Sequence, residues 1–273
     1  QMTAREYVEK VMSKTLIDPV HTTQLSNGLV LKRLIKAYMN ADKESLGYAT
    51  LLEWTNLDYQ PDVSRTFIPS KAVRICAVQY QMREIRGFDE FARQCEYFVD
   101  VASDYKCDFI LFPENLTTQL LTFIKAERPG QAMRKLSEFT PQYLELFSKL
   151  AIKYDVNIIG GTHFTLENDR LYNAAYLFKR DGGIGKQYKL HITPDERRWW
   201  GVEPGNSIEV FETDSGTISI QVGVDIEFPE VSRIAVEQGA QIFFVPFTTD
   251  ERYAYLRVRY CAQARCIENH VFA

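Results

Sequence analysis

The chain has 273 residues, 45% hydrophobic and 13% aromatic, enough for one large domain or one domain plus part of another. Its formal net charge of −4 leaves no basic footprint for nucleic acid. No apolar run approaches the ~20 residues of a membrane span, and the opening QMTAREYVEKVMSK reads as a charged amphipathic helix, not a signal peptide.

Residues 1–54 read as that helix followed by strands. Asn27-Gly28 is a turn signal, LVLKRLI follows it, and YATLLEW (Tyr48–Trp54) alternates as a second strand. Residues 55–70 are polar, carry two prolines, lack periodicity and read as a linker. The pattern then becomes β/α. VRICAVQY (Val73–Tyr80) and CDFILFPE are continuous apolar runs of the buried-strand kind. Between them FDEFARQCEYFVDVASDY is an amphipathic helix with Phe91, Cys95, Phe98 and Val99 on one stripe. A helix around 141–154 leads to VNIIGGTHF, a strand expected to end at Gly160-Gly161. NAAYLFKRDGGIGKQY reads as a hairpin with a glycine-rich turn. TISIQVGV is a strand, and a helix starting at Pro229 and Glu230 and ending at Gly239 carries Val231, Ile234 and Ala235 as its apolar stripe. QIFFVPF is the next strand and YLRVRYCAQARCIENH the last helix. Strand–helix alternation predicts an α/β domain with a central sheet. Both ends read as cut: the chain starts with Gln and stops at ENHVFA as an apolar strand begins.

In such folds polar residues at the carboxyl ends of strands are the site candidates. That rule selects Glu114, the His163 region and the Gly223–Glu227 turn. Glu114, at a buried strand end, loses solvation and gains base strength; the same position suits a helix N-cap or a buried salt bridge. Lys189, after an apolar strand, can hold an oxyanion, although most lysines are solvated surface residues. Arg197, Arg198, Trp199 and Trp200 suit a pocket rim, for an anionic or aromatic substrate, or equally a surface loop packed on aromatics. In QVGVDIEFPEVSR a strand, a sharp turn and a helix start form the elbow that usually lifts a nucleophile clear of a sheet. Here the turn offers Gly223, which tolerates positive φ but supplies no chemistry. Cys76, Cys95, Cys107, Cys261 and Cys266 form no metal pattern, none follows the elbow strand, and all read as buried structural thiols. Cys266 and His270, one helical turn apart, are too few for a metal site. The odd cysteine count without a secretory signal favours reduced thiols in the cytosol.

FPEN (Phe112–Asn115), YKLHITPDE (Tyr188–Glu196) and VGVDIEFPE (Val222–Glu230) stand in one order, and together they resemble the nitrilase superfamily, the carbon–nitrogen hydrolases, from about Val73 onward. The resemblance implies a nitrilase-like four-layer α-β-β-α sandwich over residues 71–273, short of its closing strands. It implies a Glu-Lys-Cys catalytic set with Glu114 as general base, Lys189 holding the oxyanion, and Glu196 as the second glutamate of many members. The nucleophile of the family pattern I-C-Y-D-x-x-F-P-E falls on Gly223, and Val224 replaces the usual aromatic. It implies small amide, ureido or nitrile substrates, no cofactor, and homo-oligomers, dimers or larger. LIDPVHTTQLSNGLVLKRLI…GYATLLEW in residues 1–54 resembles the tail of an acetyl-CoA-dependent N-acetyltransferase domain, without its glycine-rich pyrophosphate loop. Three readings follow: a hydrolase lacking its nucleophile through an engineered or misread glycine; a natural pseudoenzyme serving as a binding or assembly module; and acetyl transfer, which needs further upstream chain.

Overall fold

The computed structural model describes residues 2–36, 38, 45, 47–54 and 72–273. The chain divides into two compact units, Gln1–Pro69 and Ser70–Ala273. The proposed linker, 55–70, lies outside the described residues.

In the first unit, α1 (Ala4–Met12) starts at a capping box in which the Thr3 side chain accepts from Glu6 N and the Glu6 carboxylate accepts from Thr3 N. A second helix, α2 (Pro19–Ser26), was not anticipated. Asp18 caps it by accepting from Val20 N and His21 N, and Pro19 occupies its first turn. The Asn27-Gly28 turn therefore ends a helix, with Gly28 at φ +86°. The strands β1 (Val30–Ile35) and β2 (Ala49–Glu53) pair antiparallel. His21 Nε2 lies 2.7 Å from Thr50 Oγ1, which ties α2 to β2.

The second unit begins with β3 (Ile75–Ala77), α3 (Phe88–Asp104) and β4 (Phe109–Leu111). A 3-10 stretch (Leu116–Thr122) and α4 (Pro129–Leu136) follow, neither visible beforehand, then α5 (Thr140–Lys153). Next come β5 (Asn157–Glu167), β6 (Arg170–Phe178), β7 (Ile184–Tyr188), β8 (Val210–Thr213) and β9 (Gly216–Ile220). The last elements are α6 (Pro229–Glu237), β10 (Ile242–Phe244) and α7 (Arg252–Asn269). A five-stranded sheet has the order β3-β4-β5-β6-β7 and a three-stranded sheet the order β10-β9-β8.

Period-two alternation sends neighbouring residues to opposite faces of each sheet. Phe109, Ile159, Ala175 and Leu177 of the larger sheet meet Ile218, Ile220, Ile242 and Phe244 of the smaller in one dry core. Ile110, Ile158 and Phe178 face the other way, onto Phe91, Cys95 and Val99 of α3 and Tyr143, Phe147 and Leu150 of α5. Phe243 faces away from the intersheet core, onto Ala235 of α6 and Val258 of α7. The result is the four-layer α-β-β-α nitrilase-like sandwich. Backbone pairing continues at the last residues, where Phe243 N donates to Phe272 O and Phe272 N to Gln241 O.

Three details correct the reading from sequence. The strand through VNIIGGTHF does not end at Gly160-Gly161; β5 runs on to Glu167, with its register to β6 shifting between Ile159 and Thr162. Gly161 has φ +69°, and a side chain there would collide with Pro113 O, so the glycine admits the FPEN segment against the strand. Ile234 is exposed, while Val231 and Ala235 carry the α6 contact. Cys95 and Cys107 are buried, but Cys76, Cys261 and Cys266 are half-buried.

Candidate active site

Glu114 lies three residues past β4, Lys189 directly after β7, Glu196 in a short π-helical turn (Glu196–Trp200) and Gly223 three residues past β9, opening a 3-10 turn (Gly223–Glu227). The first three meet. Lys189 Nζ is 2.8 Å from Glu114 Oε1, 2.7 Å from Glu196 Oε1 and 2.9 Å from Glu196 Oε2. All three side chains are buried. The three protons of one ammonium are thus matched by three carboxylate oxygens, which is what a buried ion cluster requires. Both readings of Glu114, strand-end carboxylate and buried salt bridge, describe the same residue.

Each carboxylate has a second anchor. TPDE has the spacing of a capping box: Thr193 N donates to Glu196 Oε2, and Glu196 N to Thr193 Oγ1. Thr248 N donates to Glu114 Oε2 (3.4 Å), and Thr248 Oγ1 donates to Glu114 O (2.7 Å). Asn173 Nδ2, on β6, donates to Glu114 Oε1 (3.4 Å) and Asn115 Oδ1 (3.3 Å). Burial, the largest influence, raises the Glu114 pKa against the pull of Lys189. Burial alone would lower the Lys189 pKa, but Glu114 and Glu196 outweigh it and raise the value, so the lysine stays cationic.

The elbow is present. Gly223 is buried with φ +54°, and its N–H donates to Pro246 O (2.9 Å), extending the pairing of β9 with β10. A Cβ built on Gly223 would lie 2.7 Å from Glu114 Oε2 and 3.0 Å from Oε1. The backbone therefore aims position 223 at the Glu114 carboxylate. Two residues on, Asp225 takes hydrogen bonds from Val222 N, Leu190 N, His191 N and His191 Nδ1. This buried carboxylate fastens the loop carrying Lys189 to the elbow.

The His163 region contributes no member of this cluster. His163 is fully buried, with Nδ1 3.0 Å from Thr117 Oγ1 and Nε2 2.8 Å from Thr140 Oγ1, and its ring stacks on Tyr143. Burial lowers its pKa to about 3. Of the run Glu196–Trp200, only Glu196 enters the buried cluster. Arg197, Arg198 and Trp199 are exposed, with the Arg198 guanidinium over the Trp199 ring, and Trp200 packs edge-on against Phe164. Sequence reasoning missed Asn173, Asp225 and Thr248. Asp225 stood within the elbow segment and could have been singled out there; Thr248, in a loop after β10, carries no local signal. Among the described residues no cluster of three or more His, Cys, Asp or Glu is arranged to hold a metal.

The four-layer α/β sandwich, with a buried Glu–Lys–Glu cluster beside a strand-to-helix elbow, has a nitrilase-type fold. Residues 74–273 match the carbon–nitrogen hydrolase family, and the chain belongs to it. Probable hydrolase YhcX of Bacillus subtilis is 53% identical over 273 residues, all of this chain and 53% of that protein, so the chain spans about half its length. Deaminated glutathione amidase of Synechocystis is 27% identical over 213 residues, 71% of this chain and 73% of that protein. A mutant amidase from Nesterenkonia sp. AN1, whose structure shows Michael addition of acrylamide at the active-site cysteine, shares the fold with a TM-score of 0.62 at 20% identity, covering 74% of this chain and 78% of that one.

Proposed function

We propose that this chain is a carbon–nitrogen hydrolase of the amidase or nitrilase type whose catalytic set is Glu114, Lys189 and Glu196, with the nucleophile position held by Gly223, so that this form turns over negligibly. The observation that carries the reading is the aim of Gly223: the missing side chain would start against the Glu114 carboxylate, one hydrogen bond from the Lys189 ammonium. With cysteine at that position, Glu114 takes the thiol proton and the sulfur attacks the carbonyl carbon of an amide or ureido group. Lys189, its protons held by Glu114 and Glu196, supplies a fixed positive charge near the developing negative charge. Glu114 returns the proton to the leaving nitrogen, and water then releases the acid and regenerates the thiol. Glu196 keeps Lys189 charged and in place. The chemistry needs no cofactor. The relatives named as amidases support a small-molecule amide as substrate, with ureido compounds and nitriles as the neighbouring classes. Without the thiol the first step has no attacking atom, a loss of several orders of magnitude in rate.

A second reading, a pseudoenzyme acting as a binding or assembly module, is favoured by two adjacent departures, Gly223 and Val224, and by the closeness of the Glu114 carboxylate to the glycine. Residues 1–54 are read as the remnant of an N-acetyltransferase-like domain without acetyl-transfer activity, 55–70 as a linker and 71–273 as the hydrolase domain; the boundary between the two compact units supports that division. A homo-oligomer in a reducing cytoplasm remains part of this reading, carried by the family resemblance and the odd cysteine count.

The test is thiol activation. Gly223→Cys is treated with acrylamide and mapped by peptide mass. The introduced thiol should label faster than all five native cysteines, and Lys189→Ala in that background should slow it. Labelling no faster than the native thiols would overturn the assignment of the site.

A further inference from the structure

Asn173 sits on β6 with no solvent exposure. Its backbone is engaged, since its carbonyl accepts from Lys189 N (2.9 Å). Its side-chain nitrogen is engaged too, shared between Glu114 Oε1 and Asn115 Oδ1. The Glu114 carboxylate fixes which end of the amide is nitrogen, because a flipped amide would set oxygen against oxygen. The remaining atom, Asn173 Oδ1, is buried and has no hydrogen-bond partner among the described residues. A buried acceptor without a donor is rare in folded proteins and marks a place where a partner is brought in.

The neighbourhood narrows what that partner is. Lys189 has three protons, and Glu114 and Glu196 take all of them. The cluster is rich in acceptors and has no spare ammonium proton for Oδ1. The partner must carry its own N–H or O–H donor. A primary amide or a ureido group presents an N–H on the nitrogen that leaves; a nitrile or an ester presents none.

We infer that Asn173 Oδ1 is a substrate-binding acceptor that takes a hydrogen bond from the N–H of the leaving nitrogen beside Glu114. The site then selects amides and ureido compounds over nitriles and esters of the same acyl group. The 3.4 Å Nδ2 contact to Glu114 Oε1 ties the Asn173 amide to the group that protonates the leaving nitrogen. This inference rests on the hydrolase reading of the same site and sets its substrate class.

The test uses the Gly223 chain, in which bound ligand is not consumed. Affinities of propionamide, N,N-dimethylpropionamide, methyl propionate and propionitrile are measured by ligand-observed NMR titration. Propionamide should bind roughly tenfold tighter than the three compounds without an N–H, the worth of one well-made buried hydrogen bond. Asn173→Ala should lower propionamide affinity by about the same factor and leave the other three within about twofold, so the preference collapses. Asn173→Ser serves if the alanine form does not fold, and the comparison within the native chain stands without either variant. Equal binding of amide and ester to the native chain would overturn the inference and leave the hydrolase reading standing. A parallel loss of all four ligands in the variant would show a purely structural asparagine and also overturn it. Binding of none of the four to the native chain would remove the amide site itself, and the inference with it.

Discussion

Replacing Gly223 by alanine tests the crowding of the elbow in isolation from chemistry. Gly223 sits at φ +54°, in the left-handed region, where an L side chain costs about 1–2 kcal/mol. The added methyl would stand 2.7 Å from Glu114 Oε2, 3.0 Å from Oε1 and 3.1 Å from Cδ. The carboxylate is not free to retreat, because Lys189 Nζ holds Oε1 at 2.8 Å and Thr248 N reaches Oε2. Displacing it adds strain of about 1–3 kcal/mol, the usual range for overpacking. The two parts sum to roughly 2–5 kcal/mol of lost stability for Gly223→Ala. Urea unfolding at neutral pH measures it, followed by domain-specific fluorescence. A double-mutant cycle separates the parts: in a Glu114→Ala background the steric part disappears and only the backbone part, about 1–2 kcal/mol, remains. A loss below about 0.5 kcal/mol in the native background, or the same loss in both, would refute a crowded, left-handed elbow aimed at Glu114.

Three further outcomes follow from the same geometry. Lys189→Ala should destabilise by about 3–5 kcal/mol in denaturant titration, because two buried carboxylates lose their shared cation, and Glu114→Gln in that background should recover part of the loss. Gly161→Ala, at φ +69° with Pro113 O in the path of the new methyl, should unfold the FPEN segment or lose more than about 3 kcal/mol, read by hydrogen exchange around 112–117. His163, neutral in the fold with its pKa lowered to about 3 from 6.5 by burial, binds a proton more readily unfolded than folded. Its contribution is complete above pH 6.5 and declines as pH falls toward 3, by about 1.4 kcal/mol per unit. The acid limb of the stability profile should flatten in His163→Gln.

The strands were legible where burial on both faces made continuous apolar runs, as in CDFILFPE and QIFFVPF. The long helix α3 was legible from its apolar stripe, and α5 as a helix around 141–154. What escaped was structure set by contacts distant in sequence. The 3-10 stretch Leu116–Thr122 and α4 lack a clear period, and the register shift at Gly160-Gly161 looked like a strand end because glycine punctuates both. In the site, Glu114, Lys189 and Gly223 could be found because each follows a recognisable strand end or turn, and Glu196 through the family resemblance alone. Asn173 lies mid-strand among apolar residues, and Asp225 works by accepting backbone protons from a loop more than thirty residues away. The Asn173 role leaves no mark at the level of spacing, whereas Asp225 lay inside the elbow segment already selected. Arg197 and Arg198 left two readings open, pocket rim or surface loop on aromatics, since a charged run beside two tryptophans does not fix which side faces solvent; they are exposed, with Arg198 over the Trp199 ring.

The central claim is that one side chain separates this form from a working hydrolase. The most direct measurement compares ammonia release by the Gly223 form and by Gly223→Cys from a panel of amides, ureido compounds and nitriles, using protein whose folding is confirmed. The account predicts ammonia from the cysteine form alone, abolished again by Glu114→Gln. Silence from both forms across the panel, with folding confirmed, would contradict it and leave the binding or assembly module as the better description.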